Sequence, residues 1–166
     1  MTAHRILVAV DGSDGARRAL AYVAEIVGRR PDTTLHLLHL LPPIPPRMLE
    51  HPGAERPEEE LALEEDLRGR QKRWLAEQEE AARRLLDDAE RFLADHAGAV
   101  RVERECRPSV GSAAVARECL DAARAGGCDT IVLARQSMPW FREVLHAHPS
   151  DALVRRGRGL AVWVVE

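Results

Sequence analysis

Arg5-Ile6-Leu7-Val8-Ala9-Val10-Asp11-Gly12-Ser13-Asp14 is the stretch whose reading decides the fold. Ile6 to Val10 is aliphatic without a polar break, the pattern of a strand covered on both faces. The Asp-Gly-Ser-Asp that follows supplies a turn and a helix start. A strand of this kind belongs in a parallel sheet, and parallel strands need helical crossovers. Downstream, Ala16, Ala19, Leu20, Val23 and Val27 recur at helical spacing, and Gly28 with Pro31 supplies the stop. Thr34 to Leu41 is a second buried strand.

Six prolines, Pro42, Pro43, Pro45, Pro46, Pro52 and Pro57, then break the pattern, so residues 42–60 read as a Pro/Glu-rich loop inserted in the domain. Glu58 to His96 is rich in Glu, Ala, Arg and Leu. Leu75, Ala82, Leu86, Ala89 and Leu93 place an apolar stripe on one long amphipathic helix. Its N-terminal half, Glu58 to Lys72, has few apolar residues and contains Gly69, so that half is expected to overhang the sheet. Val100 to Cys106 alternates as an exposed or edge strand would. Val110 to Ala125 reads as a helix and Asp129 to Ala134 as a buried strand. A short helix near Ser150 to Arg156 and a final strand, Leu160 to Val165, close the chain. The order β-α-β-α-β-α-β-α-β gives an α/β domain: a five-stranded parallel sheet with helices on both faces.

Composition sets the bounds. With 166 residues, the chain fits a single domain over 1–166. Its 45% hydrophobic and 31% charged residues suit a globular core. A net charge of -3 gives no general field for nucleic acid, so none is expected as a partner. The longest apolar runs fall far short of the ~20 residues of a membrane span, so no membrane partner is expected. Cys106, Cys119 and Cys128 are odd in number and no apolar leader precedes Ile6, which reads as a cytoplasmic protein with reduced thiols. Lys72 is the only lysine, so a P-loop, Schiff-base or phospho-receiver lysine is confined to that one residue, which lies in a charged stretch with no Gly-rich neighbour. G-x-S-x-G and H-E-x-x-H are absent as well. No catalytic residue and no metal ligand set are assigned, and the chain reads as a non-enzyme.

Val10-Asp11-Gly12-Ser13, Leu38-His39-Leu40-Leu41-Pro42-Pro43, Asp129-Thr130-Ile131-Val132-Leu133 and Ser150-Asp151-Ala152-Leu153-Val154 followed by Val162 to Val165 together resemble the universal stress protein family, over almost the whole chain. The resemblance implies strand order 3-2-1-4-5, the Rossmann-like fold of the adenine nucleotide alpha hydrolases, with ligand at the carboxyl ends of the central strands. It also implies a base site lined by Ala9, Val10 and Asp11, covered by Leu40, with Leu133 below and Ser150 near the phosphates. Many members hold ATP with Gly-x2-Gly-x9-Gly-Ser/Thr after the fourth strand. Here those positions are Ala134, Ser137, Ala147 and His148. The expectation is therefore a stress-adaptation protein that does not hold ATP by the usual loop and needs no cofactor. The alternative is a member that binds ATP or another adenine nucleotide, with weak or no hydrolysis.

Other residues have plainer readings. Asp11 is also what a helix cap or turn requires without any ligand. His36 and His39, three apart on a strand, fall on opposite faces and read as satisfied core or edge histidines. His146 and His148 flank Ala147 at the candidate pocket, where a metal or a phosphate could use them, and read more plainly as exposed loop histidines. Among Arg135, Arg142, Arg155, Arg156 and Arg158, which could attract an anion, Arg155 and Arg156 suit the last helix's C-terminus. Leu160 to Val165 carries no charge, and an apolar edge strand must be covered. A homodimer through this strand is the expected solution, and the family resemblance implies the same contact.

Overall fold

The structure, a computed structural model, describes residues 4–28, 30, 32–50, 53, 56–109, 114–135 and 149–166. The elements run β1 (His4–Ala9), α1 (Asp14–Val27), β2 (Thr33–Leu41), a single 3-10 turn (Pro46–Met48), α2 (Pro57–Ala97), β3 (Arg101–Pro108), α3 (Val115–Ala125), β4 (Thr130–Ala134), α4 (Pro149–Arg156) and β5 (Ala161–Val165). All four strand pairings are parallel and the order is β3-β2-β1-β4-β5. The sequence expectation and the observed order agree.

Alternation along the central strands splits the core in two. Ile6, Val8, Leu35, Leu37 and Val132 face α1 and the C-terminal half of α2. Leu7, Ala9, Leu38, Leu40, Ile131 and Leu133 face α3 and Leu153 of α4. That two-sided burial is why these strands read as unbroken aliphatic runs. β3, at one edge, alternates charge instead. Arg5 Nη2 donates to Glu103 Oε2 at 2.5 Å, and this hydrogen bond holds the Glu103 carboxyl below its ordinary range. His36 Nε2 lies 2.7 Å from Glu105 Oε2. Burial pushes Glu105 up, but hydrogen bonds from Arg107 and His36 outweigh it and keep the group ionised.

Boundaries differ from the sequence reading in instructive places. The inserted loop ends at residue 56 rather than 60, because Pro57 occupies the first helical position of α2, where its missing N–H costs nothing. The acidic Glu58, Glu59 and Glu60 then complement the positive end of the helix. α3 begins at Val115, with residues 110–113 outside the described set. In α2 the buried residues Ala82, Leu86, Ala89, Leu93 and Ala97 all lie in the C-terminal part. The N-terminal part is tethered by Gln71 Nε2, which donates to the Met48 carbonyl at 2.6 Å.

Candidate functional site

The strand order reverses between β1 and β4, so their carboxyl ends open a crevice, the usual ligand position in a doubly wound sheet. Ala9, Leu40 and Leu133 come together there on the α3 face and are buried. Val10 and Ala134 are buried too, but their side chains belong to the opposite core, against α1 and α2. Val10 therefore brings its backbone to the crevice. Both of its backbone groups are committed: the N–H donates to the Leu38 carbonyl at 2.9 Å, and the carbonyl lies 2.8 Å from His39 Nδ1. Since a carbonyl only accepts, His39 donates through Nδ1. His39, read from sequence as a structural histidine, thus pins the tips of β1 and β2 at the crevice. Only the register of β1 on β2 reveals this.

The turn after β1 is built from its own side chains. Asp11 Oδ1 accepts from Ser13 N–H at 2.9 Å, and Ser13 Oγ accepts from Ala16 N–H at 3.1 Å. Ser13 is the N-cap of α1 and Asp11 the turn residue before it. Gly12, at φ 76°, takes the left-handed conformation the turn requires.

Ala134, at the end of β4, has an unexpected partner. A Cβ built on Gly15, in the first turn of α1, would lie 2.9 Å from the Ala134 Cβ. The alanine methyl is accepted because α1 presents a glycine to it. Gly15→Ala is expected to cost about 1–3 kcal/mol through overpacking. Ala134→Gly in the same chain should recover most of that loss, because the two sites share one contact. A urea-denaturation double-mutant cycle reads this, and additive costs would show that the contact is not what opposes the added methyl.

Arg135 does not reach toward an anion site, since its Nε donates to Glu166 Oε1 at 2.5 Å and its N–H to the Val165 carbonyl at 2.8 Å. Arg18 Nε donates to the Glu166 carbonyl at 2.8 Å. Ser137, His146, Ala147 and His148 lie outside the described residues, and Ser150 is described only as part of the first turn of α4. Among the described residues no group of three or more His, Cys, Asp or Glu is arranged to hold a metal. The thiols are poor nucleophiles: burial pushes Cys119 up to about 12 and raises Cys106 and Cys128 as well.

The family model described as "Universal stress protein family" matches residues 2–165. The chain belongs to the universal stress protein family. Solved structures agree on the fold. A universal stress protein family member from Burkholderia pseudomallei superposes with a TM-score of 0.66 at 22% identity, covering 98% of this chain and 96% of that one. Universal stress protein UspA from Lactobacillus plantarum gives 0.63 at 19% identity, covering 100% and 99%. The Archaeoglobus fulgidus universal stress protein, solved in complex with dAMP, gives 0.58 at 17% identity, covering 100% of both chains. A comparison with curated proteins finds no match. In this universal stress protein no helix among the described residues is long and apolar enough to cross a membrane.

Proposed function

We propose that this universal stress protein is a dimeric, cytoplasmic regulatory protein whose crevice takes the base and ribose of an adenine nucleotide, without gaining from the phosphates beyond the first. The observation that carries the reading is the convergence of Ala9, Leu40 and Leu133 on one face of the crevice, at the point where strand order reverses. Their side chains are buried in the core beneath α3, so the floor they form is the base of the crevice, and a purine ring would lie above it against the strand ends. Support comes from matched structures, one solved with dAMP, one with cAMP and an Arabidopsis thaliana member with AMP bound. The phosphate side is weaker by chemistry. Ala134, Ser137 and Ala147 stand where glycines would let backbone N–H groups close on phosphate, and Arg135 is engaged by Glu166. The titratable groups at the site, Asp11 and His39, are engaged by the Ser13 N–H and the Val10 carbonyl in building the strand ends, and the proposed role is binding rather than hydrolysis.

Calorimetric titration with AMP and ATP tests this reading. AMP is expected to bind at least as tightly as ATP, and Leu133→Trp, which fills the apolar floor, to abolish both. ATP binding tenfold or more tighter than AMP would show that the altered loop still holds the phosphate chain.

The dimer rests on the contrast between the two sheet edges. β3 ends its sheet with Arg101, Arg104, Arg107 and Pro108, devices that discourage further pairing. β5 offers Ala-Val-Trp-Val-Val. We propose that a second copy covers β5 about a two-fold axis.

A further inference from the structure

On the face of the sheet opposite Ala9, Leu40 and Leu133, helices α1 and α2 do not close on each other. They leave a cleft of about 620 Å³, within the ~300–1,000 Å³ range of small-molecule sites. Val10 forms its floor, and Leu20, Leu85 and Phe92 supply apolar walls. The gap persists because Ala16 and Ala81 stand on the facing helices where larger side chains would interdigitate.

The mouth is charged, and its charge is unbalanced. Arg17, Arg84 and Asp88 line it. Asp88 has a similar exposed contact on its own helix, its Oδ1 accepting from Arg91 Nη2 at 2.5 Å, so the imbalance is that of the lining itself, two guanidiniums against one carboxylate. Arg17 Nη1 is 3.7 Å from Asp14 Oδ1, beyond hydrogen-bond length, and Arg84 Nε donates to Glu80 at 3.1 Å. Both side chains are about three-quarters exposed, and their partners among the described residues lie on their own helices. Such contacts are weak and readily exchanged. The arginine fork matches a carboxylate with two parallel N–H donors, while the cleft beneath excludes polar groups.

We infer that this cleft is a second binding site, separate from the nucleotide crevice, for a single-chain aliphatic carboxylate whose tail fills the cleft and whose head meets Arg17 and Arg84. The charge complementarity selects the occupant: a neutral apolar molecule would leave the two guanidiniums unused.

Calorimetry with dodecanoate below its micellar concentration tests it, with dodecanol as the uncharged counterpart. One dodecanoate per chain is expected, with a micromolar dissociation constant. Arg17→Gln with Arg84→Gln should weaken dodecanoate tenfold or more and change dodecanol less than twofold. Ala81→Phe, placed at an exposed position and filling the cleft from its rim, should abolish both ligands without altering the circular dichroism spectrum. Ala81→Leu repeats the test with a smaller side chain if the phenylalanine variant does not fold. Absence of dodecanoate binding overturns the inference. So does equal binding of the alcohol and the acid, or binding that survives both the arginine and the filling substitutions.

Discussion

Leu93→Ala is expected to remove about 2–5 kcal/mol of folding stability, while Leu61→Ala, on the same helix, changes it by no more than about 0.5 kcal/mol. Leu93 is fully buried between α2 and the sheet, in the cluster that holds Leu35, Leu37 and Val23. Its truncation opens a cavity that a strand-backed wall cannot collapse to fill. Leu61 is 63% exposed on the N-terminal part of α2, which has no buried residue before Ala82. For a domain whose net stability is of the order of 5–15 kcal/mol, the first change alone brings unfolding within reach of moderate heating. Urea denaturation of the two variants reads the difference directly. Equal losses would mean that the first turns of α2 are packed against a second surface and do not project.

The second large effect concerns assembly. Ala161 N–H donates to the Asp129 carbonyl and the Val165 carbonyl accepts from Arg135, so alternate residues of β5 address β4. In a parallel ladder the intervening residues, Val162 and Val164, turn both backbone groups toward the open edge. Val164→Pro removes one outward N–H and leaves the β4 ladder intact, a position where proline is tolerated in edge strands. Its predecessor, Trp163, is already extended, as a residue before proline must be. Light scattering is expected to report a dimer for the parent protein and a monomer for Val164→Pro. Trp163→Pro, which strikes the ladder itself, should instead compromise folding. Lysine at Val162 or Val164 would confuse the two outcomes, because both side chains also pack against the α3-side core. A Val164→Pro protein that keeps its dimeric mass would move the interface away from β5.

Much of this molecule was legible in its sequence because its strands are buried on both faces. Ile6 to Val10 and Thr130 to Ala134 declare themselves as runs, and the crossovers between them admit one handedness. The stripe from Ala82 to Leu93 likewise located the half of α2 that packs. What stayed hidden was pairwise and distant. Gly15 and Ala134 meet across 119 positions, counted as 134 minus 15, and neither carries a signal of the other. The bond from His39 to Val10 depends on strand register, which periodicity does not encode. Pro57 was read with the prolines before it as loop, although proline is as much at home in the first helical position. The base side of the crevice was assigned by resemblance; of its apolar members Ala9, Leu40 and Leu133 share a face, while Val10 turns its side chain to the opposite core. That Arg135 pairs with Glu166 was not legible, because Glu166 comes to lie beside it only once β4 and β5 pair.

The 41 residues of α2 also bear on how the molecule moves through solution. At 1.5 Å per residue the helix is about 61 Å long. A compact chain of 166 residues has a radius of gyration of about 15 Å, equivalent to a sphere roughly 40 Å across. One helix therefore exceeds the diameter of a compact single chain, and hydrodynamic drag, rotational diffusion and the tail of the pair-distance distribution of that chain will all report an elongated body. A mass inferred from elution volume alone would overstate the true value, and a monomer could pass for a dimer on that scale.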